Sequence, residues 1–163
     1  MKDTISIPDF WGVPPKIEQL NKKFVKISYE VRGGSNLGLG NVLILCVKDN
    51  RLFEAMHVLR YTNWDSGDEK MGYFIKLKLT GNTKSDYHLT VGVKDYVYSK
   101  RNPETNYTYY NNTILSFDQT NNVFYSIKEG VYNQVAATKE AKSAKQKVNG
   151  NFPVIILGKE TYY

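Results

Sequence analysis

The groups in this chain able to do acid–base, nucleophilic or metal chemistry are few: two histidines, one cysteine and scattered carboxylates. His57 and His88 each fall inside an apolar stretch that reads as a strand, whereas catalytic groups gather on loops. No Ser or Cys elbow accompanies either, so both read as structural or solvated side chains. Cys46 sits in the run Val42, Leu43, Ile44, Leu45, Cys46, Val47 and reads as a small buried hydrophobe without a disulfide partner. With no CxxC, HxxxH or His-carboxylate spacing, the sequence predicts no metal site and no cofactor.

Two loops invite a closer test. Gly33, Gly34, Gly38 and Gly40 form a glycine-rich stretch like those that cradle phosphates. Leu43 fills the third glycine position of a dinucleotide fingerprint, no GK[ST] follows, and the stretch leads into a strand instead of a helix N-terminus. It reads as a flexible connection. The acidic segment Asn63 to Glu69 offers oxygen ligands for a hard cation, but Gly67 stands where a fifth-position ligand is needed, and a solvated turn is the simpler reading. Glu54, Asp65, Asp68 and Asp95 show no spacing that pairs two of them for glycosidic chemistry. The expectation is a non-enzymatic protein with no catalytic residue.

Aromatic surface is the strongest positive signal. Tyr96, Val97 and Tyr98 run into a polar turn holding Lys100 and Arg101, and Tyr107, Tyr109 and Tyr110 run out of it, which predicts a hairpin with cross-strand tyrosines beside two cations. More tyrosine is placed there than a core needs. Phe10 and Trp11 near the start and Tyr162 and Tyr163 at the end add large apolar area. The candidate contact surface is therefore Phe10, Trp11, Tyr96, Tyr98, Lys100, Arg101, Tyr107, Tyr109, Tyr162 and Tyr163. Cross-strand packing, a protein contact and a stacking platform for bases or sugars all use such residues.

The elements that must position these groups are mostly strands. Residues 1–22 read as an extended arm, since Pro8, Pro14 and Pro15 forbid regular pairing there, with a short helical turn over Lys16 to Asn21. Lys23 to Arg32 alternates Val25, Ile27, Tyr29 and Val31 with polar residues, the signature of a strand with one wet face. Asn41 to Lys48 is apolar throughout and so central. After the tight turn Asp49-Asn50, Arg51 to Tyr61 is a third strand, with a short helix over Leu52 to Leu59 as the alternative. Tyr73 to Thr80, Tyr87 to Tyr98, Tyr107 to Tyr110, Thr113 to Phe117 and Val123 to Lys128 complete the series, joined by a polar loop at Asn63 to Lys70 and turns at Gly81-Asn82 and Asp118 to Asn122. Seven to eight strands at this spacing predict a mostly β fold, an antiparallel sandwich or barrel. One peripheral helix is expected over 133–148, followed by a tail at 151–163 whose Phe152 to Leu157 forms an edge strand. Residues 23–163 form one domain.

Net charge is +6, yet Arg32, Arg51, Arg60 and Arg101 are the only arginines among 22 basic residues. Base and phosphate readout favours the guanidinium fork, whereas scattered lysines solvate a surface. The abundance of Lys, Asn, Tyr and Ile, whose codons are rich in A and T, makes codon bias a sufficient source of the charge. No apolar run reaches the roughly 18 residues of a membrane span, and none near the start has the length of a secretory signal. The profile predicts a protein made in the cytoplasm, with no membrane partner, that assembles with other protein subunits; a virion head or tail accessory protein of an AT-rich bacterial virus fits it. A nucleic-acid-binding barrel of the OB type, using Lys76, Lys78, Lys94 and tyrosines as a groove, ranks second, with a sugar-binding module beside it. On this ranking no salt-dependent affinity for single-stranded DNA is expected.

Overall fold

In a computed structural model of the chain, residues 7, 13–83, 85–126 and 152–153 are described. Nine strands pair antiparallel in one open sheet, each beside its neighbours in sequence. They are β1 (Lys16–Gln19), β2 (Phe24–Gly34), β3 (Leu37–Lys48), β4 (Arg51–Asp65), β5 (Glu69–Asn82), β6 (Ser85–Ser99), β7 (Tyr107–Asp118), β8 (Val123–Ser126) and the two-residue β9 (Phe152–Pro153). The mostly β expectation holds, but the sandwich or closed barrel gives way to a single open sheet. Among the described residues no pairing joins β1 to the last strands, so the ladder is not closed. The helix expected over 133–148 and the tail beyond Pro153 lie outside the described residues. Among those described, the only helical element is a single 3-10 turn at Pro103–Thr105, and none is long and apolar enough to cross a membrane.

Several loops expected from composition are strands instead. The helical turn over Lys16 to Asn21 is replaced by β1, which pairs with Val25 to Ser28. The glycine-rich stretch is the end of β2, a turn at Ser35 and Asn36, and the start of β3. The helical alternative over Leu52 to Leu59 is absent, because those residues pair along β3. The Asn63 to Lys70 loop shrinks to Ser66, Gly67 and Asp68 between β4 and β5. Asp49 and Asn50 both take positive φ, 51° and 59°, which suits a two-residue hairpin turn matched to strand twist.

The sheet bends far enough for residues of β2 through β8 to share one core. At its centre Phe24 meets Tyr87 and Phe117 edge-on, with ring centroids 5.0 and 4.9 Å away, and lies 5.3 Å from Phe124. Phe24 therefore corrects the one-wet-face reading of β2. Its own face enters the main core, while Ile27 on the other face joins Leu43 and Leu45 in a second cluster against which Ile7 packs. β3 is consequently covered on both faces, as its unbroken apolar run requires.

Bulges produce the bend. An extra residue in one strand kinks it and raises its twist. β4 carries two against β3: Ala55 is inserted where the register passes from Ile44 to Leu45, and Arg60 where it passes from Gly40 to Asn41. Pairing of β4 with β5 spans only Tyr61 to Asp65 against Lys70 to Phe74. It stops at the Arg60 bulge, and beyond that point the two strands part. The cleft that opens there positions the candidate site.

A candidate aromatic and basic binding face

Residues opposite one another in an antiparallel ladder share a face, so the register can be read as rows. One row crosses five strands as Gly40, Tyr61, Phe74, Lys94 and Tyr110. The next holds Gly38, Asn63, Gly72, Tyr96 and Thr108, and on the other side of the first lie Lys76, Gly92 and Asn112, then Lys78, Thr90 and Ile114. These four rows thus collect four aromatic rings and three lysines on one sheet face.

The glycines in these rows give the rings their posture. A Cβ at Gly40 would stand 2.3 Å from the Tyr61 ring, and one at Gly72 would stand 2.5 Å from the Tyr96 ring. Each tyrosine therefore lies across a neighbouring strand, and its hydroxyl reaches one strand further: Tyr61 donates to the Glu30 carboxylate on β2, and Tyr96 donates to Asn63 Oδ1 on β4 at 3.3 Å. Phe74 lies between them, at 11° to the Tyr61 plane and 4° to the Tyr96 plane, with centroids 5.9 and 6.3 Å away. The three rings are parallel tiles. Burial, followed by the hydrogen bond to the Glu30 carboxylate, pushes the Tyr61 phenol up to about 12, so it stays a neutral donor.

Beside the tiles a groove of about 870 Å³ runs along β5, β6 and β7, lined by Arg60, Phe74, Lys76, Lys78, Lys94, Tyr110 and Asn112 over a floor at Gly92. A second hollow of about 550 Å³, between β1–β2 and β5, shares Arg60, Ile75, Lys76 and Leu77 with it. Among the described residues no carboxylate lines the larger groove. Lys94 Nζ sits 5.2 Å from the Tyr96 centroid and 5.9 Å from that of Tyr110, and among the described residues Lys76, Lys78 and Lys94 make no ion pair. Arg60 is held by Glu30 at 2.8 Å and covers the Tyr61 ring at 4.7 Å. Its Nε is buried with no hydrogen-bond partner among the described residues.

The residues singled out from sequence are divided by this geometry. Tyr96 and Tyr98 share the tiled face, Tyr98 standing opposite Lys70. Tyr107 and Tyr109 are on the reverse face, opposite Val97 and Asp95, so the expected cross-strand tyrosine pairs do not form. Lys100 and Arg101 turn to Asp68, at 3.6 and 3.4 Å, instead of to the rings. Phe10, Trp11, Tyr162 and Tyr163 lie outside the described residues. Composition missed Arg60, Tyr61 and the glycine floors; Phe74, Lys76 and Lys78 were legible as one parity of β5.

Other polar groups meet one another within the sheet. Tyr29 Oη and His57 Nε2 are 2.6 Å apart, and His57 Nδ1 is 3.7 Å from Glu54 Oε1, the order of groups found in a proton relay. The Tyr29 phenol is buried and burial raises its pKa, the wrong direction for a nucleophile or base at neutral pH. His88 faces Ser116 at 3.5 Å on the outer side of β6. Cys46 is fully buried, and burial pushes its thiol up. The acidic turn is occupied internally, with Asp65 Oδ1 accepting from the Gly67 N–H and Oδ2 at 2.8 Å from Lys70. Among the described residues no three His, Cys, Asp or Glu side chains converge on a metal-sized site. Compared with known proteins, the chain matches no family model, no curated protein and no solved structure.

Proposed function

We propose that this chain is a non-enzymatic binding module that holds single-stranded nucleic acid along the tiled face. The observation that carries the reading is the convergence of Lys76, Lys78 and Lys94 with Phe74 and Tyr110 in one groove, with no carboxylate among its described lining residues. Arginine scarcity counts against base readout, which needs the guanidinium fork. Sequence-tolerant binding needs only a cationic track and rings on which bases stack. The second-ranked reading from composition therefore moves ahead of assembly.

The test is a fluorescence titration with labelled oligo-dT over a salt series. With three to four phosphates neutralised, log K falls with log salt at a slope of about −2 to −3. Lys76→Ala, Lys78→Ala and Lys94→Ala each flatten that slope, while Phe74→Ala or Tyr96→Ala removes stacking worth about 1 to 3 kcal/mol per base. Absence of binding at low salt, or binding indifferent to all five substitutions, overturns the reading.

Assembly with other proteins remains the second reading, on one observation. Tyr98, Tyr107, Tyr109, Tyr110 and Ile114 are all exposed, between them occupying both faces of the β6–β7 hairpin. Clustered exposed aromatics mark contact surfaces.

A further inference from the structure

We infer that β7 is a self-pairing edge, through which two copies of the chain join their sheets. Among the described residues β8 covers β7 only at Ser116, Phe117 and Asp118. The stretch from Thr108 to Asn112 is paired to β6 on one side and, among the described residues, has no strand on the other, and each of its residues is exposed. Its remaining alternate N–H and C=O groups form a template for another strand.

Proteins usually blunt such an edge with lysine, proline or a bulge. Where β5 parts from β4, its edge carries Lys76 and Lys78. Thr108, Tyr109, Tyr110, Asn111 and Asn112 carry no charge and no proline, and their pairing to β6 shows no register shift. In a chain of net charge +6 this is a stretch where a second copy meets no like charge.

A second copy fits for a geometric reason. Two identical strands pair antiparallel about a twofold axis normal to the sheet, and opposite residues must then share a face. Centred at Tyr110, the register sets Tyr110 against Tyr110 of the second copy, Tyr109 against Asn111 and Thr108 against Asn112. Tyr110 and Asn112 line the groove, so the two grooves meet across the axis on the same side of one continuous sheet. The pairing itself needs no ligand and does not rest on the nucleic-acid reading.

Sedimentation of the full chain without nucleic acid tests it. The mass is expected to rise reversibly from 18.7 kDa toward twice that value with concentration. Tyr109→Lys/Asn111→Lys sets like charges opposite one another and leaves a single chain with an unchanged melt. Tyr109→Lys/Asn111→Glu carries as many substitutions but sets opposite charges together, and it dimerises. A wild-type chain that stays single at every concentration, a double-lysine variant that still pairs, or a Lys/Glu variant that does not, overturns the inference. If oligo-dT binding fails while dimerisation holds, only the proposed ligand is lost.

Discussion

Tyr61 shows how one side chain depends on residues distant in sequence: Gly40 leaves room for its ring, Glu30 accepts its hydrogen bond and Arg60 covers it. Its raised pKa gives stability a pH dependence of known sign. Below the ordinary phenol value of 10.0 both folded and unfolded chains hold the proton and the contribution is complete; between there and about 12 the unfolded phenol ionises first, so stability falls. In alkaline denaturation curves, wild type should lose more stability across that window than Tyr61→Phe. Glycine positions make a second prediction. Gly67 has φ +84° and open space around it, so Gly67→Ala costs about 1 to 2 kcal/mol for the left-handed backbone alone. Gly81 has φ +94°, and its Cβ would stand 2.2 Å from the Asp86 carbonyl oxygen, so Gly81→Ala must also move backbone. Urea midpoints of the two variants should separate clearly, with Gly81→Ala the lower.

At the scale of elements, β3 sets the strongest stability prediction. Leu43 and Leu45 are buried in the second cluster and Ile44 in the main one, so replacing any of the three with Ala should cost roughly 2 to 5 kcal/mol in equilibrium unfolding. Losses below about 1 kcal/mol at both leucines would place β3 at an edge. This strand was legible because a central strand reads as an unbroken apolar run. Tyr87, Leu89, Val91 and Val93 were legible for a related reason, their period of two matching one buried face. The glycine-rich stretch misled because glycine marks turns in most contexts, and here Gly38 and Gly40 lie in a strand under a flat ring. That requirement appears only when Tyr61, some twenty residues on, is placed beside them. The binding face was half legible for the same reason: Phe74, Lys76 and Lys78 share a parity within one strand, whereas their alignment with Lys94 and Tyr110 depends on inter-strand register. Arg60 could not be found locally, because a bulge is a relation between two strands.

For the whole molecule, the buried residues of the main core among those described run from Phe24 to Phe124. A chain shortened after Lys128 should therefore keep a cooperative thermal melt and a β-type circular dichroism spectrum, with some loss from uncovering the edge of β8 that now pairs with Phe152 and Pro153. A non-cooperative melt would show that residues beyond 128 belong to the folding unit. The order β1 to β9 without a crossover also has a mechanical meaning. Where sequence neighbours are also ladder neighbours, traction applied at the two ends loads the hydrogen bonds between outermost strands one after another, as in opening a zip, instead of straining a whole ladder in shear. Under a single-molecule force ramp such a sheet should peel inward from both margins in small steps. The last resistance should come where Phe24 locks β2 against β6, β7 and β8, so that rings rather than backbone bonds set the toughness of the molecule.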